Sequence, residues 1–530
     1  MTPRDEIVAL HQRLYQRQRR LLAQSVHGAG AGLRAYEATY LSRVRSFARV
    51  IPYDEVVRQL GEADVAYVGD YHTLKQAQRS FMKLARRLVE QGRPLVLALE
   101  FVQGKAQRHL DAWLAGRIDE ETFLSRIGYR RHQIFDVWPN FKPIFDLARE
   151  HQLRIVAIDR SRADLGSRDI YAAKRIAAAR AENSAATILV LIGQLHCAPS
   201  HLPRAVARVL AARGLPPARP LVVYQNAEPI YWDLSRRGLE HEVEAVEIRP
   251  GELNLVNTPP TVAQQSYLDW VDADLDDESL EAEAASKHFK EMARLVAGYL
   301  DLDLANALDE VQVFTAGDLS FLEGLAARGD FSARELALIR RQILARESYF
   351  IPRARAAYLA NLSLNHAAEE AAHFVRHVVS GGQDEPRGLV DGFYTRALEE
   401  AYAFFGSKIV NPRRKCAHEE DFARLARGRR KTEQAIARAV LQHKRLEHGQ
   451  RARGLTTLYQ GAGADLFHGV THALGYILGE KLYYAMLGGL VNKAAVRKLF
   501  LDPLEESGDA LRTYFELTSK LSEVRVPKRA

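Results

Sequence analysis

Cysteine is almost absent from this chain: only Cys197 and Cys416 occur in 530 residues. Two thiols are too few for a disulfide framework and fit a reducing compartment. There is no Walker loop, Rossmann glycine fingerprint or paired Cys-x-x-Cys, so nucleotide-driven chemistry and a cysteine zinc site lack their sequence marks. Nor is any long apolar run free of charge. The most hydrophobic late stretch, ALGYILGEKLYYAMLGGLVNKAAV, contains Glu480, Lys481, Asn492 and Lys493, groups that are costly in hydrocarbon, so it reads as a buried helix pair and no transmembrane helix is predicted. The opening MTPRDEIVALHQRLYQRQRR is charged throughout and has no apolar h-region; it does not read as a secretory signal, and the expected location is cytoplasmic.

What is present suggests several domains, since 530 residues exceed one ordinary core and the 47% hydrophobic content is enough to fold them. Residues 1–48 read as a helical lead-in, with Ile7, Leu10, Leu14, Leu21 and Leu22 at near-helical spacing. From about 50 to 230, β-type runs (DVAYVGD, PLVLALEFV, RIVAIDR, ATILVLIGQ, PLVVYQNA) alternate with helical segments. That alternation predicts an α/β domain over 49–270, a mainly parallel sheet with flanking helices. PIYWDL and VEAVEIRPGELNLVN are predicted as short strands closing its edge. The acidic run DADLDDESLEAEA marks a linker at 271–284, and the Ala/Leu/Arg/Glu-rich remainder, 285–530, is predicted to be an all-α domain.

Two of the β-type runs end in Gly-x-x-His: Gly69 to His72 and Gly193 to His196. A third run places Glu100 similarly, and a fourth ends at Asp159. Ligands of open α/β sheets bind beyond the carboxyl ends of the strands, so these residues are expected to converge. Glycine lets the backbone turn sharply and approach a ligand closely. Two imidazoles and a carboxylate can ligate zinc, manganese or iron with a position left open, or can run acid/base chemistry. One histidine after a strand is usually a hydrogen-bonded loop residue; it is the second copy and the intervening glutamate that lend specificity. His109, His132 and His151 read as surface or capping residues, Trp138 with Pro139 as a helix start packed in the core, and Cys197 as a buried, inert thiol.

The motifs VGDYHTLKQAQ, LALEF, WPNFKPIFDLAREHQLRIVAID, SRDIYAAKRI and LIGQLHCAP resemble those of ChaN-like proteins. These belong to the superfamily that also holds the Tiki proteases, the TraB/pheromone-shutdown proteins and, more distantly, the erythromycin esterases; the likeness covers about 50–230. The resemblance implies that His72, Glu100 and His196 form a pocket at the carboxyl edge of the sheet, with Arg168 and Asp169 as the family's Arg-Asp pair beside it. Asp70 departs from the glutamate often found in relatives. ChaN-type members imply haem binding and iron uptake as surface lipoproteins, a role for which this chain lacks the lipoprotein signal. Tiki-type members imply a metal-dependent peptidase, and the esterase branch a histidine that activates water.

In the predicted helical half, His366, Glu370, His373 and His377 step by four, three and four residues and so share one helix face. With His468 and His472 one turn apart elsewhere, and Glu347 and Glu480 as further donors, they are a second candidate metal or haem site; the plainer reading is a polar face bonded to its neighbours. Residues 411–454 hold 13 Lys/Arg against five Asp/Glu, an excess equal to the whole net charge of +8. That segment could meet an anionic surface. Phe422 is its only aromatic, so a nucleic-acid stacking platform is missing.

The leading expectation is a binding protein for haem, iron or another divalent metal (manganese or zinc), with His72, Glu100 and His196 as ligands and Asp70, Asp159 and Asp169 lining the pocket. The first alternative is a metal-dependent hydrolase of a peptide or ester bond, with Glu100 as general base, the histidines holding the metal and Arg168 steadying negative charge. The second is an interaction protein docking through its basic helical half.

Overall fold

The computed structural model describes residues 2–25, 30–129, 137–160, 163–273, 278–315, 318–344, 348–360, 363–381, 387–449 and 463–528. The chain forms two compact units, Tyr15–Asp274 with Lys528–Ala530, and Met1–Leu14 with Leu275–Pro527.

The first unit is built on eight strands: β1 (Arg49–Ile51), β2 (Val65–Asp70), β3 (Leu95–Gln103), β4 (Arg154–Asp159), β5 (Thr187–Gly193), β6 (Pro220–Gln225), β7 (Ala245–Arg249) and β8 (Glu252–Leu255). Their order is β1-β7-β8-β6-β2-β5-β3-β4. The run from β8 to β4 is parallel, while β7 pairs antiparallel with both β8 and β1. Because side chains alternate along a strand, β2 sends Ala66 and Val68 to one core and Val65 and Tyr67 to another, and β3 divides Leu97 and Leu99 from Val96 and Ala98 in the same way. Both faces are thus covered, which is why these strands read as continuous apolar runs. Trp138 opens the helix Trp138–Glu150 and packs with Trp113, Phe123 and Phe145.

PIYWDL, expected as a strand, lies instead in the helix Glu228–Arg236. Ile230, Tyr231, Leu234 and Ser235 are its buried positions, a three-to-four-residue spacing that outweighs the aromatic and β-branched composition. VEAVEIRPGELNLVN does form a hairpin, turning at Gly251 with φ +81°, but it lies one strand in from the edge, which β1 closes by pairing with β7.

The second unit is helical, with Glu278–Tyr299, Leu364–Val379, Leu389–Val410, Lys431–Glu447, Ala464–Leu487 and Asp509–Lys520 as its longer members. It also holds what its composition did not announce, a three-stranded sheet: β9 (Gln312–Thr315), β10 (Tyr349–Ile351) and β11 (Ala356–Leu359), ordered β10-β11-β9. Strands of three or four residues are too short to register as a periodic run. Gly475 and Gly479 let Ala464–Leu487 meet Leu389–Val410 backbone to backbone: a Cβ on Gly475 would fall 2.4 Å from Glu400 Cβ, and one on Gly479 2.3 Å from the Ala401 carbonyl oxygen. No helix of the described residues is long and apolar enough to cross a membrane.

Candidate functional site

Four adjacent strands, β2, β5, β3 and β4, bring their carboxyl ends to one edge. There β2 ends at Asp70, paired in register with Gly193 at the end of β5. His72 follows two residues after Asp70, and His196 sits in the short 3-10 turn Gln194–Cys197. Glu100 is not terminal. It lies inside β3, where the pairing with β4 slips between Leu99 and Gln103, and such an irregularity re-aims a side chain that regular pleating would have sent elsewhere.

All three predicted side chains border the bare backbone of Gly193. A Cβ there would lie 3.5 Å from Glu100 Oε2, 3.7 Å from His196 Cδ2 and 3.8 Å from His72 Nε2. Neither motif glycine turns the chain through a positive φ, contrary to expectation: Gly193 has φ −45° and ψ 127°, and Gly69 is outside the left-handed set. Close approach is what each supplies, for a Cβ on Gly69 would meet Gln194 Cβ at 2.5 Å.

Each histidine is oriented by its own aspartate. His72 Nδ1 donates to Asp70 Oδ2 at 2.6 Å, and His196 Nδ1 donates to Asp169 Oδ1 at 2.6 Å. Asp70 is fixed in turn by Gln78 and Asp169 by the Tyr36 hydroxyl at 2.8 Å. Glu100 has both oxygens engaged. Arg168, in the helix Leu165–Glu182 capped by Asp164, donates to Oε1 and also to Asp159 at 2.8 Å, while the Gly193 N–H donates to Oε2 at 2.6 Å. His72 Nε2 stands 3.9 Å from Glu100 Oε2.

The charges follow from this wiring. Burial pulls the His72 imidazolium down, but the charge and hydrogen bond of Asp70, with Glu100 behind, push it up to about 9. Burial raises the Glu100 carboxyl, yet Arg168, both histidines and the Gly193 N–H hold it below the ordinary carboxylate value. Burial keeps Asp159 above its ordinary value despite Arg168. Cys197, fully buried, is pushed well up by burial and so stays a neutral thiol. The His72 side chain is 43% exposed and His196 only 4%, so His72 is the open side of the group.

Sequence reasoning thus located His72, Glu100, His196, Arg168, Asp70, Asp159 and Asp169, and the fold brings all seven together. It missed Tyr36 and Gln78, which act through the aspartates, and Gln225, which donates to the Gly69 carbonyl at 2.7 Å. His109 is half-buried and His151 follows the end of its helix, whereas His132 lies outside the described residues.

An imidazole whose Nδ1 is held by a carboxylate presents Nε2 as a fixed, basic ligand, the usual arrangement around a bound metal. The donor set therefore fits a metal ion or haem iron. Among the described residues, however, His72, Glu100 and His196 do not bring three ligand atoms within 4.8 Å of one another, as two groups in the helical unit do. The site is wider than a closed three-ligand cage.

The histidine stripe of the helical unit is divided. His373 Nε2 lies 3.8 Å and His472 Nδ1 3.1 Å from Glu400 Oε2, with Glu369 completing one of those two groups. Arg396 and Arg414 neutralise Glu400 and Glu369 at 2.6 Å each. Glu370 is buried, and burial raises its carboxyl to about 7. His377 instead packs edge-on to Phe350, burial pulls His468 down to about 4, and His366 opens the helix Leu364–Val379 a full turn before Glu370. Glu347 lies outside the described residues. In the basic segment, Arg414 is taken by Glu369, which lies outside it, so part of the excess is spent internally; Lys444 pairs with Glu447 of the same segment.

Residues 56–167 match the family model described as haem-binding uptake, Tiki superfamily, ChaN. No curated protein matches the chain. Among solved structures, one of cofacial haem binding to ChaN of Campylobacter jejuni is 14% identical, covers 33% of this chain and 87% of that one, and has a TM-score of 0.27. The type III effector HopBA1 is 16% identical over 33% of this chain and 86% of its own, with a TM-score of 0.26. Within its α/β unit, the segment 56–167 is thus similar to the ChaN-like family of the Tiki superfamily.

Proposed function

We propose that the α/β unit binds haem, or failing that a single transition-metal ion, at the strand ends, with His72 Nε2 as the ligand to the iron. The observation that carries this is the pair of aspartate-held imidazoles, Asp70–His72 and Asp169–His196, facing the bare backbone of Gly193. His72 is the exposed member and can be reached from solvent; the buried His196 and the carboxylate of Glu100 form the polar floor. The match to a haem-binding family supports haem over a naked ion. Bound haem would supply an iron centre that the His72 imidazole would hold. The protein's own part is to release the His72 proton, hold the ring through Asp70, and set the local charge with Arg168 and Glu100.

The hydrolase alternative uses the same residues but asks Glu100 to take a proton from water. Arg168 and the Gly193 N–H occupy both of its oxygens and hold the carboxyl down, which makes it a weak base and ranks this reading second.

Haem titration of the full chain, read by the Soret band, tests the proposal, with elemental mass spectrometry of the purified protein beside it. We expect near-stoichiometric haem binding that His72→Ala abolishes and that strengthens as pH rises toward about 9, where His72 loses its proton. Unchanged binding in His72→Ala refutes the assignment. Stoichiometric manganese or zinc that is lost in His72→Ala, without haem binding, would favour the hydrolase.

A further inference from the structure

The other group of metal-competent side chains is separate from the α/β site and from the histidine stripe, although the sequence had offered one of its members, Glu480, as a donor to that stripe. It lies in the helical unit, where Cys416, His418 and Glu480 offer one ligand atom each within 4.8 Å of one another. Glu480 Oε2 is 3.1 Å from Cys416 Sγ and 3.2 Å from His418 Nε2. Those separations are slightly shorter than the edges of a zinc tetrahedron, which for bonds of about 2.0–2.3 Å are roughly 3.3–3.8 Å long.

Three features make the trio a built site. First, Glu480 is wholly buried in the helix Ala464–Leu487, and its oxygens have separate tasks: Oε1 accepts from Lys408 at 3.0 Å, leaving Oε2 turned toward the thiol and imidazole. Lys408, also wholly buried, is anchored by the carbonyls of Pro412 and Arg414, at 3.3 and 2.6 Å, so the carboxylate is held in place by a rigid partner. Second, Cys416 and His418 are alternate residues of the short segment before the helix Glu419–Leu425, and a capping box with Asp421 fixes the backbone at His418. Third, the His418 side chain is 40% exposed, which gives an entry path and leaves a fourth coordination position facing outward.

We infer that Cys416, His418 and Glu480 form a binding site for a zinc-class divalent cation, with a soft sulfur, an imidazole and a carboxylate as ligands and Lys408 as the positioning residue behind Glu480. Binding converts the Cys416 thiol to a thiolate and releases one proton to solvent; no electron transfer is involved. The ion would tie the segment at 416–418 to the helix Ala464–Leu487.

Cobalt(II) titration of the full chain reads this site directly, because a thiolate bound to cobalt gives a near-ultraviolet charge-transfer band that imidazole and carboxylate ligands do not. The α/β histidines therefore cannot mimic it. With only two cysteines in the chain, the band has two conceivable sources. We expect it to saturate at one equivalent in the wild type and in Cys197→Ala, to vanish in Cys416→Ser, and to need about tenfold or more cobalt in His418→Ala, an exposed position whose loss leaves folding intact by circular dichroism. Zinc should bleach the band in competition. No band in the wild type, persistence in Cys416→Ser, or loss in Cys197→Ala would each overturn the assignment.

Discussion

Both units gather histidines and carboxylates, but they handle charge in different ways. In the α/β unit the group hangs from strand ends, each imidazole is tied to its own aspartate, and His72 remains 43% exposed. In the helical unit, Glu369, Glu400 and Glu480 lie between helices, each matched by a cation: Arg414, Arg396 and Lys408. A sheet edge can leave a ligand position open because the strands below carry the stability. A helix interface has no such reserve, so its buried charges must be paired.

Removing the cation on each side should expose this difference. Lys408 and Glu480 are both fully buried, and Lys408→Ala leaves a carboxylate without its partner in the interior. That should cost about 3–5 kcal/mol, seen as an early transition of the helical unit in urea unfolding of the full chain. Arg168 is 27% exposed and shares its charge between Glu100 and Asp159, so Arg168→Ala should cost only about 1–3 kcal/mol. Equal losses would mean the two units are not built differently.

The α/β site was legible because a parallel sheet fixes which end of every strand is shared, so motifs more than a hundred residues apart could be assigned to one edge. Asp70 and Asp169 came with those motifs. Tyr36 did not, because its bond to Asp169 depends on how the helix Ala31–Arg43 packs, which no local pattern encodes. Neither did the slip in β3 that aims Glu100, since a bulge leaves no periodic trace. In the helical half the spacing correctly placed His366, Glu370, His373 and His377 on one helix, but it could not say that Glu400 would meet only part of that face. Cys416, His418 and Glu480 are joined by a contact across more than sixty residues; the sequence offered Glu480 as a donor to the histidine stripe, and nothing local paired it with Cys416 and His418.

Glycine substitutions sharpen the comparison at a smaller scale. Gly475→Ala would press a Cβ to 2.4 Å from Glu400 Cβ and 2.6 Å from the Ala397 carbonyl oxygen, overpacking that should cost about 1–3 kcal/mol. In Gly193→Ala the new methyl meets nothing nearer than 3.5 Å and the backbone is of a kind any residue adopts. Its stability should change by no more than about 0.5 kcal/mol, while haem titration shows affinity lost, since the methyl occupies the space between His72, Glu100 and His196. A stable Gly475→Ala, or a Gly193→Ala that binds normally, would break the contrast between a packing glycine and a ligand-facing one.

The smallest expected effect lies in the pH dependence of His72. Its folded-state value of about 9 exceeds the ordinary 6.5, so the protonated ring binds the fold more tightly than the neutral one. This contribution is complete below about pH 6.5 and disappears as pH rises through about 9. Because the ring is 43% exposed, solvent screens much of it. Asp70→Asn removes the largest upward influence while keeping the side-chain shape, and the imidazole should then titrate near or below its ordinary value, tracked by its ring-proton NMR shifts. The decline in stability between pH 6.5 and 9 should flatten in the same variant. If the ring still titrates near 9, Glu100 rather than Asp70 holds the proton, and the two histidines of the α/β unit would no longer be alike in relying on an aspartate.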